Sequence, residues 1–566
     1  MRKWIAWILV CIALLGGAAG AETVEPTPSP VVTPVPTPAP GGLADGRIRV
    51  RLESLGAPLA LGMTLDGVYA VDGDRGFRFD KGTEIAIGID GENIALKAGG
   101  ATIDMGSGFT LTRHLDETGA AGGVYIHESE RDTLYCGDVR VEVYGGALRV
   151  IVTLPVEDYL YGVVPYEMSD AWPLEALKAQ AVAARTYALQ RKARNAGQPY
   201  DLVDTPNDQV YRGLDARYTN AIRAVDETRG VVGLVGGSFA EMFYTASNGG
   251  QTASATDVWG GAHWHTAMLD DPYDLENPES IVKEALIPSD GRAVPEPLYG
   301  LLVNELGVAL QAQGVLEVGE AVGLGEITAV EAVNPVYGGD SRQYGVIRFT
   351  ILPTVRRFQQ PADSAFRMLG LPETLETPMT VDLSFYDQVR SALGIAINDS
   401  RYDLVQVTPE EEAGFRLTVR RYGHGVGMSQ RGAQQMAEAH QKNYLEILAF
   451  YYPGLTLSQM QWQSDMILSI EALPASLGYA APRPTPAPTP APLPPLGEGE
   501  YYAAVRVEGV TGTLNVRLMP TTDSEKIGEL RNGQRMIIQS ETGDGWAQMK
   551  TAEIEGFVSM AFIVKE

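Results

Sequence analysis

Two stretches of alternating proline decide what this chain can build. Residues 26–42 carry repeated Thr-Pro, Val-Pro and Ala-Pro pairs, and residues 481–499 repeat the same idea around Pro484-Thr485-Pro486-Ala487-Pro488. Proline has no backbone N–H to give to a sheet and fixes its own φ, so such runs stay extended as semi-rigid spacers of about 3 Å per residue. They divide the 566 residues into a leader, 1–21, a first linker, 22–42, a large block, 43–474, a second linker, 475–500, and a terminal module, 501–566.

The leader begins Met1-Arg2-Lys3, continues without charge from Trp4 to Ala21, and ends in Ala18-Ala19-Gly20-Ala21. A basic start, an apolar run and a small-residue end read as a secretory signal, either cleaved before Glu22 or retained as an anchor. The expected location is therefore extracytoplasmic and associated with the cell wall. Beyond the leader only Cys136 remains, so packing rather than an internal disulfide must hold the folded chain. A formal charge of −27 repels nucleic acid and anionic lipid, which excludes nucleic acid as a partner. A polymer held by such a surface is gripped through hydroxyls, amides and aromatic faces.

The large block opens with short alternating runs such as Ile48-Arg49-Val50-Arg51-Leu52 and Val139-Arg140-Val141-Glu142-Val143, broken by Gly and Asp, which predict antiparallel sheet. After Pro173 the period becomes helical, with Leu174, Leu177, Ala181, Ala184 and Ala188 on one face and Pro173 placed in the first turn. Further helices are expected from Ser429 and from Tyr444 to Tyr452. Motif-bearing segments at 141–270 and 415–456 flank an insertion, about 271–400, of mixed strand and helix. The fold class is α+β, a β-rich body with packed helices followed by a small all-β module. In that module the run Gly512-Thr513-Leu514-Asn515-Val516-Arg517, with Gly528-Glu529-Leu530, Gly545-Trp546 and Gly556-Phe557-Val558, resembles bacterial SH3 domains. The resemblance implies a five-stranded type of barrel of a kind that often binds cell-wall peptide or glycan, the alternative being a spare barrel with no ligand.

Chemistry concentrates in Leu154-Pro155-Val156-Glu157-Asp158-Tyr159-Leu160-Tyr161-Gly162-Val163-Val164-Pro165-Tyr166-Glu167-Met168. Glu167 follows an apolar run and is flanked by Tyr166, Met168 and Trp172, a setting that desolvates a carboxyl and raises its pKa, while the nearby helix start favours the anion. The same residue also reads as a helix-capping carboxylate. This segment together with the helix through Ala183-Ala184-Arg185-Thr186-Tyr187, the loop Tyr244-Thr245-Ala246-Ser247-Asn248-Gly249-Gly250-Gln251-Thr252 and the turn Gly423-His424-Gly425-Val426-Gly427-Met428-Ser429-Gln430-Arg431-Gly432-Ala433 resembles the SpoIID/LytB family, the stage II sporulation protein D type. Three signatures in order over about 300 residues make the match specific.

The resemblance implies a peptidoglycan lytic transglycosylase acting on glycan stripped of stem peptides, with Glu167 as its acid and base and Arg185 orienting substrate or stabilising charge. It would cut between N-acetylmuramic acid and N-acetylglucosamine and leave 1,6-anhydro ends. Arg185 also reads as an ion pair with Glu175 or another acid. Tyr166, Lys178, Ser247, Gly249, Gly250, Thr252, His424, Ser429 and Gln430 are the candidate substrate-binding residues. His424 equally suits a structural hydrogen bond in its turn, and Ser429 a helix cap. Asp158 is the second carboxylate a hydrolase would need. His263 and His265, followed by Asp270 and Asp271, are the one candidate metal cluster. Without the paired Cys of the zinc sites in some relatives, no metal or cofactor is expected, and His263, Trp264 and Trp259 read as sugar-stacking or core residues. The rival function is a wall-binding enhancer of a partner N-acetylmuramoyl-L-alanine amidase, the activity for which the LytB branch is named.

Overall fold

The structure, a computed structural model, describes residues 33–34, 46–462, 496, 499–506, 513–522, 524–531, 534–551 and 554–565, except 117–120, 129–131, 262, 264–265, 318–319, 339, 360–366, 369 and 412. The leader and nearly all of both proline linkers lie outside these residues, as do Trp264 and His265. The chain divides into two compact units after residue 472.

The alternation read from the sequence is the reason the first unit starts as two sheets. Ile48 and Val50 of the strand Arg47–Arg51, and Val139 and Val141 of Asp138–Tyr144, are fully buried while the arginines between them are not. A seven-stranded sheet runs in the order Leu202–Val203, Arg47–Arg51, Ala147–Pro155, Asp138–Tyr144, Gly108–His114, Val68–Val71, Asp74–Phe79. A six-stranded sheet, from Asp132–Tyr135 through Ala60–Leu65 to Ala101–Asp104, shares one hydrophobic core with it. Burying both inner faces is what period-two patterning accomplishes.

The last core strand, Ala147–Pro155, runs directly into α1 (Val156–Tyr161), α2 (Val164–Glu167) and the long α3 (Leu174–Arg194). Pro173 stands one residue before α3, at its N-cap, not within the first turn. Ala176, Ala179, Ala181, Ala183, Ala184 and Ala188 are all fully buried, so α3 is enclosed on nearly every side; small side chains are what permit this. Then come α4 (Thr219–Glu227), α5 (Ala255–Trp259), α6 (Pro272–Glu276), α7 (Glu296–Ala312), α8 (Arg390–Ala392), α9 (Gln430–Glu438) and α10 (Tyr444–Tyr451). Ser429 caps α9, accepting from the Gly432 N–H at 3.0 Å, as its position before the helix predicts.

The insertion is wider than 271–400. Val282–Pro288 pairs along its length with Gly414–Arg420, and a second core joins Ile287, α7 and the long hairpin Glu320–Pro335 with Tyr344–Gln359 to Leu417 and Val419. The strand expected to reopen the motif-bearing body at 415 therefore closes the insertion instead.

Among the described residues the second unit holds seven short antiparallel strands, more than the five anticipated, in the order Lys526–Arg531, Thr513–Arg517, Glu555–Ser559, Trp546–Lys550, Arg535–Glu541, Tyr501–Val505, Ile563–Lys565. Its own core is built on Val505, Leu514, Val516, Leu530, Met536, Ile538, Met549 and Val558. The Asn532-Gly533 turn lies outside the described residues.

Candidate functional site

Glu167 is the last residue of α2, a helix of one turn that starts immediately after the buried Val163. Its carboxylate accepts from the Val210 N–H at 3.3 Å and from Gln430 Nε2 at 3.4 Å, and it bonds the Tyr244 hydroxyl. Burial pushes its pKa up, against the pull of these three donors. Among the described residues no Lys or Arg forms an ion pair with it. The Tyr244 hydroxyl in turn accepts from Gln209 Nε2 at 3.0 Å, and Gln209 Oε1 accepts from the buried Tyr159 hydroxyl at 3.2 Å. Because Gln209 fills the acceptor side of the Tyr244 hydroxyl, that hydroxyl's proton is directed at Glu167.

The pairing that delivers Tyr244 is two residues long. Tyr244 and Thr245 lie parallel to Met428 and Ser429, and the double-glycine loop continues along the histidine turn through Ser247 opposite Tyr422 and Ala253 opposite Val426. Gly427, at φ 75°, is required here, since a Cβ would fall 1.9 Å from the Phe243 carbonyl oxygen. Buried Arg421 fastens the two segments by donating to the Asn248 carbonyl at 3.1 Å and the Gln251 carbonyl at 2.8 Å. The sequence reading overlooked Arg421; its position just before the glycine turn was the available signal.

A groove of about 630 Å³ opens beside Gln209 and Tyr244. One wall is aromatic: Trp259, 45% exposed, packs against Phe243 with ring centroids 4.8 Å apart and against His424 at 5.0 Å. The last turns of α3 also line the groove, through Tyr187, Gln190, Arg191 and Arg194. Their spacing of three, one and three puts them on one helix face, a pattern that sequence inspection missed. Glu167 does not line this groove; its carboxyl stands one hydrogen bond behind Tyr244. His424 does line it. Its Nδ1 accepts from the Val426 N–H at 3.0 Å, and burial near the Arg421 charge lowers its pKa to about 4, so the imidazole is neutral.

The other candidates distribute differently. Arg185 is fully buried and bonds Glu157, with Nη2 to Oε2 at 2.6 Å and Nε to Oε1 at 3.0 Å; its remaining donors reach the Val225 and Val231 carbonyls. It shares no partner with Glu167, so the structure does not bring it to the carboxyl it was expected to assist. Lys178 is engaged by Glu175 and Glu227, both at 2.7 Å, on the face toward α4. Ser247 and Ser429 turn inward and donate to Asp274, at 2.9 and 2.5 Å. Thr252 bonds the Ala267 carbonyl at 2.8 Å, while Gly249 and Gly250, at φ 69° and 96°, form the bend over the insertion. These five shape the site rather than line its groove. Tyr166 meets Tyr218 edge to face at 5.6 Å. Of the named candidates, Gln430 alone bonds Glu167.

Asp158 faces Arg113 at 3.4 Å. Of the candidate histidine and aspartate cluster, His263 Nδ1 pairs with Glu241 and Asp271 accepts from Asn248 and Tyr451, each at 2.7 Å, while His265 lies outside the described residues. Burial lifts the Asp271 pKa to about 6.

Two sheets feeding a short helix that ends in a carboxylate without a cationic partner among the described residues, beside an aromatic groove, define an α+β protein. Comparison with known proteins agrees with the first of the three signatures, which lies within the matched residues. The family model described as stage II sporulation protein matches residues 144–234, and that of the bacterial SH3 domain matches residues 512–564. An uncharacterized protein of Brachyspira hyodysenteriae is 30% identical over 324 residues, covering 57% of this chain and 72% of that one. Stage II sporulation protein D of Bacillus amyloliquefaciens is 27% identical over 345 residues, 58% of this chain and 81% of its own. The amidase enhancer of Bacillus subtilis is 29% identical over 305 residues, 53% of this chain and 40% of its own length. The chain belongs to the SpoIID family and carries a C-terminal bacterial SH3 domain. Among the described residues no helix is long and apolar enough to cross a membrane.

Proposed function

We propose that the protein is an exported peptidoglycan lytic transglycosylase with Glu167 as its single acid and base. The observation that carries the reading is a carboxyl whose pKa is raised by burial, which has no cationic partner among the described residues and which is held by Tyr244 and Gln430 next to a groove lined by Trp259, Phe243 and Tyr187. Protonated, Glu167 gives its proton to the glycosidic oxygen and the N-acetylglucosamine leaves. The resulting carboxylate then takes the proton of the muramic acid 6-hydroxyl, whose oxygen closes on the anomeric carbon. No water enters, so no second carboxylate is needed, in keeping with Asp158 being engaged by Arg113. The SH3 domain would hold the enzyme on the wall.

Denuded glycan is incubated with the full chain and with Glu167→Gln, and the products are weighed by mass spectrometry. Anhydro-ended fragments from the first and none from the second are expected, a loss of about 10²–10⁴-fold in rate. A second reading, a non-catalytic enhancer of a wall amidase, is favoured by the similarity to the Bacillus subtilis protein of that name. It predicts no cleavage by either protein and a faster amidase in the presence of both.

A further inference from the structure

Three cations close α3: Arg191, Lys192 and Arg194. Arg191 is held by Asp208, and Lys192 donates to the Arg47 carbonyl. Arg194 is exposed, lines the groove and, among the described residues, forms no hydrogen bond or ion pair. The other charges on the described groove wall are committed, Asp208 to Arg191 and Tyr187 and Glu241 to His263. One uncommitted guanidinium therefore stands in a groove of a chain with a formal charge of −27, and an exposed indole, Trp259, lines the same groove. A free cation there attracts an anion that the rest of the surface repels, and an indole face takes the apolar face of a sugar ring.

We infer that Arg194 and Trp259 form a subsite for an acidic sugar: the pyranose ring lies on Trp259 and its free carboxylate meets Arg194. The inference rests on the groove being a glycan cleft and adds what selects the glycan. In wall glycan that carboxylate is the lactyl group of a muramic acid without a stem peptide. Once a peptide is joined to it as an amide, the negative charge Arg194 pairs with is gone and added bulk must fit the same wall. The groove's volume lies within the range of about 300–1,000 Å³ usual for small-molecule sites.

The test measures binding to the full chain carrying Glu167→Gln, so that nothing is cleaved. The probes are stem-free muramyl glycan oligomers, the same oligomers with their carboxyls converted to methylamides, and chitotetraose, which has no carboxylate. The stem-free oligomer is expected to bind about 5- to 10-fold more tightly than its methylamide. Adding Arg194→Gln should remove that preference and leave methylamide and chitotetraose unchanged. Adding Trp259→Ala should weaken all three, roughly tenfold. Arg194 has no partner to lose, so its variant keeps the fold. Equal affinity for the acid and its methylamide, or an Arg194→Gln effect of the same size on all three probes, overturns the subsite and leaves the cleft reading intact. Binding of none of the three overturns the cleft reading and the subsite together.

Discussion

Glu157 and Glu167 sit ten residues apart on successive short helices of one signature, and the fold treats them in opposite ways. Glu157 has no exposure and is saturated: Arg185 covers it from one side, and the Gly230 N–H and Trp462 Nε1 donate to Oε1 at 2.9 and 3.2 Å. Glu167 is partly exposed and receives only neutral donors. A buried charge that is paired and fully hydrogen-bonded fixes geometry, whereas one left without a counter-charge keeps its proton more tightly. The pair Glu157–Arg185 ties α1 to α3 and α4, and so sets where the chain re-emerges as α2. On the proposed reading, the carboxylate that does the chemistry is the one without a counter-charge.

The strongest way to break this contrast is to remove each partner in turn. Arg185→Met leaves Glu157 buried without its cation and should cost about 3–5 kcal/mol in a urea unfolding curve of the first unit. Glu167→Gln should leave the same curve within about 1 kcal/mol, because no ion pair is lost, while cleavage disappears. If instead Arg185→Met folds with unchanged stability and loses only activity, Arg185 acts at the reacting bond and the division of labour argued above is wrong.

Next in size are two groups behind and beside the groove whose titrations oppose one another. His424 has its pKa lowered from an ordinary value near 6.5 to about 4, so the stability it contributes as a neutral ring is present above pH 6.5 and is lost as pH falls toward 4. Asp271 is raised from 3.8 to about 6, so its burial costs the fold nothing at low pH and progressively more as pH rises from about 4 to 6. Each amounts to about 3 kcal/mol, with opposite sign over nearly the same window. The intact protein should therefore show a nearly flat stability from pH 6 to 4. His424→Gln should unmask a rise on acidification, and Asp271→Asn a fall. Matching slopes in both variants would dissolve the contrast between these two sites.

What could be read from the sequence follows from how each feature is encoded. The alternating strands were legible because one face of each sheet is buried, and Ser429 was legible as a cap because capping is local. Lys178 and Arg185 do share a helix face, but α3 is alanine-rich and enclosed on nearly every side, so periodicity could not say which neighbour that face meets. It meets α4. The face that lines the groove, Tyr187 to Arg194, mixes ring, amide and charge and carries no apolar period. Glu167 was found because its apolar flanks imply desolvation, whereas its partners Val210, Tyr244 and Gln430 come from distant segments that only the fold assembles. The insertion boundary was missed because Val282–Pro288 has exposed Val282, Lys283 and Glu284 and pairs with a strand more than a hundred residues away.

Smaller effects test how the neutral donors set the acid. Gln430 and Tyr244 both favour the carboxylate form of Glu167, opposing burial. Removing either, by Gln430→Leu or Tyr244→Phe, should raise the Glu167 pKa further. A general acid loses rate as pH rises through its pKa, so the alkaline limb of the cleavage profile should move to higher pH by up to about one unit in each variant. A shift to lower pH in both would mean that the rate-limiting step needs the carboxylate as base, reversing which half of the reaction the donors restrain.

The mildest change sharpens the comparison from the surface. Lys178 joins Glu175 and Glu227 at 2.7 Å on each side, and PKa elevation of the lysine follows from these partners outweighing its partial burial. Unlike Arg185, seven residues further along the same face, it keeps contact with solvent, and screened pairs are worth about 0–1 kcal/mol. Lys178→Met should therefore change stability by no more than about 1 kcal/mol and leave glycan affinity as it was. A loss of glycan affinity without loss of stability would return Lys178 to the substrate and extend the binding surface past α4. With affinity unchanged, the two basic residues differ only in what surrounds them, and enclosure by alanines is what turns the second into a structural necessity.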